Sequence, residues 1–204
     1  MLYYAFYSNS AIAALCVKLK NSYLFTAMKI LLHACCAICL TYPYKRLREK
    51  NYEISVYWYN PNIHPYMEYR AREDALRKYA MLEKIDVIYG EYDFIEYLKS
   101  MLKNVERPYR CINCYEYRLE KVAKYAKENG FHAFTTTLLV SHHQYHIEIK
   151  KIAEKLAKKY DISFYYEDFR NGWNQGKAIA KMYSLYSQKY CGCLISEYER
   201  FGKH

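Results

Sequence analysis

Short apolar runs alternate with amphipathic stretches along the chain from Met28 onward. Unbroken or β-branched apolar runs predict strands at 29–34, 53–59, 86–89, 132–140 and 162–167. Apolar residues spaced three and four apart predict helices at 41–50, 66–84, about 93–103, 146–160 and 174–188. A further helix carries Leu119 on its apolar stripe and ends before Gly130. This alternation predicts a single α/β domain, with a parallel sheet and helices on both faces.

The composition is that of a folded globular protein of one domain. Of the 204 residues, 52% are hydrophobic and 25% are charged, which excludes a disordered chain. The formal net charge of +10 would attract polyanions such as nucleic acid, with binding that weakens as salt rises. A lysine-rich solvated surface gives the same net charge, so the charge alone does not identify a partner.

The N-terminal segment 1–27 is predicted to be an appendage outside the folded domain, which then spans 28–204. Its apolar stretch AIAALCV is shorter than the roughly 20 residues that cross a bilayer, and the segment MLYYAFYSNS contains no Lys or Arg. We therefore expect no membrane span, no secretory signal and a cytoplasmic location. Thiols stay reduced there, so clustered cysteines more often bind metal or carry out redox chemistry than form structural disulfides.

Most of the cysteines fall where predicted strands end or in loops beside helices. The stretches HACCAIC, CINC and YCGC contain Cys35, Cys36, Cys39, Cys111, Cys114, Cys191 and Cys193. Ligands of parallel α/β folds bind at the carboxyl ends of the strands, so we expect these thiols to gather at one rim of the sheet. Cys16 lies in the appendage and is expected to play no part.

The spacing of four cysteines favours an iron–sulfur cluster. A CxxC pair such as Cys111 and Cys114 lets two thiolates bind one metal centre. Cys35 and Cys36 are neighbours, so their Cα atoms lie about 3.8 Å apart and their side chains point in different directions. Placing both sulfurs on one small ion would therefore strain the backbone. In a cubane each cysteine takes a different iron, and these four residues complete the thiolates of a [4Fe–4S] cluster. A structural zinc site and merely buried cysteines are the alternatives.

Three cysteines remain for a second role. A disulfide between Cys191 and Cys193 across Gly192 would close a strained ring and be easily reduced, which suits a redox couple. Alternatively, Cys39 would join these two thiolates in holding one additional metal ion near the cluster. Core cysteines that flank a turn are the third interpretation.

Other site motifs are absent or weak. The chain contains no GxxxxGK[ST], GxGxxG or CxxxCxxC, which argues against nucleotide use through those loops and against a radical S-adenosylmethionine reaction. His142 and His146 have the i, i+4 spacing of a metal-binding helix face, but without HExxH we expect exposed or structural histidines. We expect His33 and His64, beside the predicted rim, to be structural rather than catalytic.

Six motifs occur in the order found in one enzyme family. They are LLHACCAIC, NPNIHPYMEYRAR, RCINCYEYRL, FTTTLLVSHHQ, DFRNGWNQG and LYSQKYCGCLIS. They cover about residues 28–196, and through them the chain resembles the cobalamin-independent epoxyqueuosine reductases. Two positions depart from the family pattern, which commonly has proline there: His142 in SHHQ, and Ile38 before Cys39. Neither change removes a cysteine.

The resemblance implies a reductase that converts epoxyqueuosine to queuosine at the wobble position of tRNA by two-electron removal of the epoxide oxygen. It implies a [4Fe–4S] cluster whose ligands are Cys35, Cys36, Cys111 and Cys114. It also implies a redox-active pair, Cys191 and Cys193, and a separate iron near the cluster, for which Cys39, Cys191 and Cys193 are the candidate ligands. The fold is expected to resemble the nucleotide-binding fold of tRNA-modifying ATP pyrophosphatases, with 28–204 as an iron–sulfur reductase domain.

Other residues acquire candidate roles from this chemistry. Asp168, Tyr115 and Tyr190 are candidate proton donors or metal neighbours. The candidate contacts to anticodon phosphates are Arg107, Arg110, Arg118 and Arg170. The expected partners are tRNA carrying epoxyqueuosine and an electron donor of unspecified identity. The competing hypotheses are a non-catalytic, zinc-containing RNA-binding protein, and a thiol–disulfide oxidoreductase that works through Cys191 and Cys193 alone.

Overall fold

The strands of the protein pair in parallel to form one sheet. A computed structural model describes residues 27–202, so Cys16 and the predicted appendage up to residue 26 lie outside the described residues. The strands are β1 (Lys29–Ala34), β2 (Glu53–Trp58), β3 (Val87–Tyr89), β4 (Ala133–Thr136) and β5 (Ser163–Phe164). Their order in the sheet is β3-β2-β1-β4-β5, which places β1 at the centre.

Two groups of helices cover the sheet. Within residues 27–202 the helices are α1 (Ala37–Glu49), α2 (Tyr66–Glu83), α3 (Phe94–Met101), α4 (Tyr109–Glu128), α5 (His146–Tyr160), α6 (Trp173–Met182) and α7 (Leu194–Phe201). Helix α1 packs against α2 and α6, and α4 packs against α3 and α5. The chain crosses the sheet in opposite directions in its two halves, and because parallel crossovers are almost always right-handed, the two groups are expected on opposite faces. The predicted single α/β domain is confirmed. None of these helices has both the length and the hydropathy to cross a bilayer.

Strand β1 is buried because helices cover both faces of the sheet. Every residue of Ile30–Ala34 is inaccessible to solvent, and β4 is buried along its whole length. A strand with one face in water would alternate polar and apolar residues, whereas KILLHA is almost continuously apolar. The prediction of a strand buried on both faces at 29–34 is therefore confirmed.

The direction of the strand order reverses between β1 and β4. The chain leaves β1 toward β2 and leaves β4 toward β5, so the two connections diverge and open a crevice at the carboxyl ends of the central strands. Cys35 directly follows β1, and its backbone N–H donates a hydrogen bond to Thr137 Oγ1 at 2.9 Å, just beyond β4. The first group of cysteines therefore lies at this crevice.

The strand predicted at 132–140 is shorter in the structure, and the reason is local. The Thr136 hydroxyl accepts a hydrogen bond from the Leu138 N–H at 3.1 Å and caps a 3-10 turn over Thr137–Val140. The edge strand predicted at 162–167 is also shorter in the structure, where it pairs with β4 at Ser163 and Phe164.

The C-terminal part of the chain also differs from the sequence prediction. The helix predicted at 174–188 ends at Met182, and Ser184 takes a left-handed conformation with a φ of 49°. Helix α7 was not predicted at all. Its N-cap is Cys193, whose sulfur accepts a hydrogen bond from the Ser196 N–H at 3.4 Å, and cysteine is not among the usual capping residues.

The interface between α1 and α6 depends on a close approach at Gly172. A Cβ atom at this position would lie only 2.0 to 2.2 Å from atoms of the Tyr42 ring. The Tyr42 ring in turn packs edge to face against Phe169, with 6.5 Å between the ring centroids. The interface therefore has no room for a side chain at residue 172.

We expect Gly172→Ala to lower the free energy of unfolding by about 1–3 kcal/mol, because Tyr42 must leave its place in a packed interface. Urea unfolding followed by circular dichroism measures this change. The control is Lys177→Ala at an exposed position of α6, expected to lie within about 0.5 kcal/mol of the parent. Equal stability of the two variants would contradict this account of the interface.

Candidate metal centre

Three cysteines form a compact sulfur cluster at the start of α1. The Sγ atoms of Cys35, Cys36 and Cys39 all lie within 4.8 Å of one another. Cys36 is the N-cap of α1 and Cys39 lies in its first turn, so the turn of the helix brings their sulfurs together. Among residues 27–202 this is the one group of three or more cysteine, histidine or acidic side chains close enough to share a metal ion.

Hydrogen bonds favour the charged form of Cys36 within this group. Its sulfur accepts the Gln188 Nε2–H at 2.9 Å and the Cys39 backbone N–H at 3.3 Å. Hydrogen bonds from the Cys35 and Cys39 thiols, the Cys39 backbone N–H and the charge of Arg72 hold the pKa of Cys36 well below its usual value. The hydrogen bond between Cys35 and Cys36 raises the pKa of Cys35 to about 11. Hydrogen bonds with Cys35 and Cys36 raise the pKa of Cys39. Thiolate is the form that binds metal.

The other four thiols line a neighbouring cavity of about 170 Å³. They are Cys111, Cys114, Cys191 and Cys193. Helix α4 carries the first two in its N-terminal turns, and the other two lie at the start of α7. The Gln144 Nε2–H donates to Cys191 Sγ at 3.5 Å. Burial raises the pKa of Cys111 to about 11 and also raises that of Cys114.

Arg118 connects the two groups of thiols. Its Nη1 lies 4.0 Å from Cys114 Sγ, and its charge interacts with Cys35 of the first group and Cys191 of the second. The side chain is buried, and its Nη2 donates to Asn60 Oδ1 at 2.5 Å. The centre therefore contains a fixed positive charge next to sulfur atoms from three distant parts of the chain.

The structure divides the four predicted cluster ligands between the two groups. Cys35 and Cys36 belong to the first group, whose third member is Cys39, and Cys111 and Cys114 belong to the second. Cys191 and Cys193, predicted as a redox pair, are free thiols beside Cys111 and Cys114. All seven thiols expected at one rim therefore lie in two groups that Arg118 links, and which of them bind iron stays a prediction.

Asp168 and Arg170 bind each other. Arg170 Nη2 donates to Asp168 Oδ2 at 2.6 Å, and Asp168 also caps the 3-10 turn over Phe169–Gly172. Arg170 lowers the pKa of Asp168 to about 2, so this carboxyl holds no proton at neutral pH. The role of Asp168 as an acid or as a metal neighbour stays a prediction.

The other predicted arginines differ in accessibility. Arg107 and Arg110 both form ion pairs with Glu199, at 3.2 and 2.5 Å, beside Cys111 at the start of α4. The side chain of Arg107 is 42% exposed, whereas that of Arg110 is 7% exposed. Arg118 is also buried. Among these three, Arg107 is thus the one with enough exposed surface to reach a phosphate of a polymer.

The two candidate tyrosines differ in their relation to the thiol cavity. Tyr115 lines it, and its hydroxyl donates to Gln144 Oε1 at 2.6 Å. Tyr190 donates its hydroxyl hydrogen to the carbonyl oxygen of His64 at 2.5 Å. Burial raises the pKa of both phenols, so both keep their protons at neutral pH.

The two histidines beside the rim are buried. His33 is fully buried between Thr136 Oγ1 at 2.9 Å and the carbonyl oxygen of Tyr59 at 3.1 Å, and burial together with Arg118 lowers its pKa to about 3. His64 is buried as well, and its Nε2 donates to the Pro61 carbonyl oxygen at 3.0 Å. Both rings are neutral at neutral pH, because burial lowers the pKa of each.

Sequence reasoning missed the polar residues that support the thiols. Gln188 reaches Cys36 from 152 residues away, and Asn60 anchors Arg118. Arg72 donates to the carbonyl oxygens of Cys191 at 2.9 Å and Tyr190 at 3.1 Å, which fixes the loop before α7. Single polar residues have no spacing pattern, so the sequence offered only their proximity to cysteine motifs as a signal.

Curated relatives of the chain share one description. Proteins described as "Epoxyqueuosine reductase QueH" include one from Dehalococcoides mccartyi, 43% identical over 178 residues that make up 87% of this chain and 97% of that protein. One from Thermotoga maritima is 34% identical over 86% of this chain and 93% of its own length. One from Histophilus somni is 36% identical over 82% of this chain and 72% of its own length.

The fold also resembles a solved structure of low sequence similarity. The predicted subunit of a tRNA methyltransferase from Methanocaldococcus jannaschii matches with a TM-score of 0.53 over 76% of this chain and 74% of that one, at 11% identity. At this identity the match concerns the fold alone. The family model described as "Epoxyqueuosine reductase QueH" matches residues 30–199, which include all seven thiols of the centre. The chain therefore belongs to the epoxyqueuosine reductase QueH family.

Proposed function

We propose that the chain reduces epoxyqueuosine to queuosine at the wobble position of tRNA. The observation that carries the proposal is the pair of thiol groups that Arg118 joins at the carboxyl edge of the sheet, in a chain of this family. In the overall reaction the epoxide takes up two electrons and two protons, both carbon–oxygen bonds break, a carbon–carbon double bond forms and water leaves. The electrons come from a separate donor. Action on tRNA is consistent with a cytoplasmic location.

The donor atoms of the centre fit a [4Fe–4S] cluster on Cys35, Cys36, Cys111 and Cys114. All the ligand atoms are soft sulfur, and the hydrogen bonds to Cys36 already favour a thiolate. A bound cluster would supply electrons one at a time, so a second redox site is required. Cys191 and Cys193 fill that role as a dithiol, or join Cys39 in holding a mononuclear iron.

One residue around the thiols is a candidate for proton transfer. Tyr115 keeps its proton and lines the cavity, so we assign to it one of the two protons. The apolar side chains of Leu98, Leu102 and Val105 also line the cavity, and those of Leu102 and Val105 are exposed to solvent as well.

Charge on the protein surface favours a polyanionic substrate. The net charge is +10, and Arg107 presents an exposed guanidinium beside the cavity residue Arg110. Phosphate contacts of this kind position a nucleic acid without reading its sequence. A non-catalytic zinc protein would use the same charge, and a thiol–disulfide oxidoreductase would use the same Cys191 and Cys193. Membership of a reductase family favours neither alternative.

Cys114→Ser is expected to abolish cluster binding and to reduce queuosine formation at least about 100-fold, because a thiolate ligand is lost. Iron and sulfide per chain, absorbance near ~400 nm, and nucleoside mass spectrometry of anaerobically treated tRNA measure the effects. Cys16→Ser is the control and should behave like the parent.

Two results would contradict the proposal. A colourless parent protein that binds zinc and converts no epoxyqueuosine would support the RNA-binding alternative. Full activity in the Cys114→Ser variant would support a reaction that uses Cys191 and Cys193 alone.

Arg107→Ala is expected to weaken tRNA binding and to reduce the slope of log affinity against log salt by about 1, since one phosphate contact is lost. Fluorescence anisotropy with labelled tRNA at several potassium chloride concentrations measures the slope. Arg46→Ala serves as the control, because it removes the same charge from α1, where Arg46 forms an ion pair with Glu167. An identical slope in both variants would exclude Arg107 from the tRNA interface.

A further inference from the structure

The domain has three arginines with buried side chains near the thiols, and one of them differs from the others. Arg72 Nε binds Glu68 Oε1 at 2.7 Å, and Arg110 Nη2 binds Glu199 Oε2 at 2.5 Å. Within residues 27–202, Arg118 has no carboxylate oxygen within 4.0 Å of its nitrogen atoms. Arg118 is thus a buried cation without an acidic partner.

The hydrogen-bonding neighbours of Arg118 do not neutralise its charge. Asn60 Oδ1 accepts from Nη2, and the His33 ring, 3.4 Å from the same nitrogen, is neutral. Within residues 27–202 the Nε atom of Arg118 has no hydrogen-bond partner. An unpaired buried charge is strongly destabilising, so folded proteins place an anion next to it. The Tyr97 phenol also interacts with Arg118, but burial raises its pKa and keeps it neutral. Among the described residues, sulfur atoms remain for this role: Cys114 at 4.0 Å, with Cys35 and Cys191 close enough to interact electrostatically.

We propose that Arg118 is the counter-ion of the metal–thiolate centre and favours its more reduced state. The inference rests on the proposed [4Fe–4S] cofactor. A cubane held by thiolates is anionic and becomes more so when it accepts an electron, so a nearby fixed cation stabilises the reduced form more than the oxidised form. Charge close to a cluster is one of the factors that set its reduction potential. Arg118 is accordingly a positioning and tuning residue rather than a contact to tRNA phosphate.

The position of this charge is fixed by the central strands. Asn60 Nδ2 donates to the carbonyl oxygen of Ala34 at 2.8 Å, at the end of β1, while its Oδ1 binds Arg118. Asn60 is thus held by the backbone that leads into Cys35, and it holds the guanidinium against the thiols. A lysine at position 118 would keep the charge but lose the planar fork that binds Asn60 and approaches Cys114 together.

The test compares the reduction potential of the cluster in the anaerobically reconstituted full chain with that in three variants. Arg118→Met is expected to lower the equilibrium constant for one-electron reduction at least tenfold, a shift of about 59 mV to more negative potential. Arg118→Lys should recover most of this shift. Arg46→Met removes an equal charge from the surface of α1 and should leave the potential unchanged. Iron and sulfide per chain are measured on each sample.

Several outcomes would overturn the inference. Equal potentials in a fully loaded Arg118→Met variant and the parent would show that the cluster does not respond to this charge. If Arg118→Met binds no iron, the Arg118→Lys variant distinguishes two causes. A normal iron content and a normal reduction potential in Arg118→Lys support a counter-ion. A loss of iron equal to that in Arg118→Met indicates that residue 118 contributes to the shape of the site alone. A parent chain that assembles no cluster overturns this inference together with the cofactor. A charge-dependent potential in a chain that leaves epoxyqueuosine unchanged would support the inference and refute the proposed function.

Discussion

The hydrogen bond from the Cys35 N–H to Thr137 Oγ1 joins the ends of the two central strands, and the thiol centre is built around this junction. Because the strand order reverses between β1 and β4, their connections diverge and leave space at the carboxyl edge. The Thr137 hydroxyl in turn donates to Cys35 Sγ at 3.2 Å. Thr137 thus joins the ends of the two strands and also donates a hydrogen bond to the first sulfur of the centre. The packing of the strands and the geometry of the site therefore depend on the same residue.

Helix N-termini are the second common element of the site. Cys36 caps α1, Cys193 caps α7, and Cys111 lies in the first turn of α4. The first N–H groups of a helix lack partners within the helix, and the helix dipole favours negative charge at this end. Among these three sulfurs, that of Cys36 also accepts several hydrogen bonds, and its pKa lies well below its usual value, whereas burial raises the pKa of Cys111. The fold thus favours the thiolate form at Cys36.

Arginine residues that look alike in the sequence have different roles in the structure. Arg170 is paired with Asp168, Arg107 is partly exposed and pairs with Glu199, and Arg118 is buried against sulfur. Local sequence does not separate these cases, since each arginine stands near a motif that carries cysteine or an acidic residue. Their roles depend on which element packs over them, and that is set by sheet order. In the proposed chemistry, the positive charge inside the centre and the one at its rim would serve different steps.

The sequence alone determined the features that depend on residues close together in the chain. The continuous apolar run of β1, the α/β alternation and the set of seven thiols all followed from spacing and composition. Only the tertiary structure decided that Cys39 joins Cys35 and Cys36, that Gln188 supplies their hydrogen bond and that Arg118 lies among the sulfurs. It also decided that β4 ends at Thr136. The spacing of apolar residues indicates which face of a helix or strand is buried. Contacts between residues a hundred positions apart depend instead on the order of the strands in the sheet and on how the ends of the strands are capped.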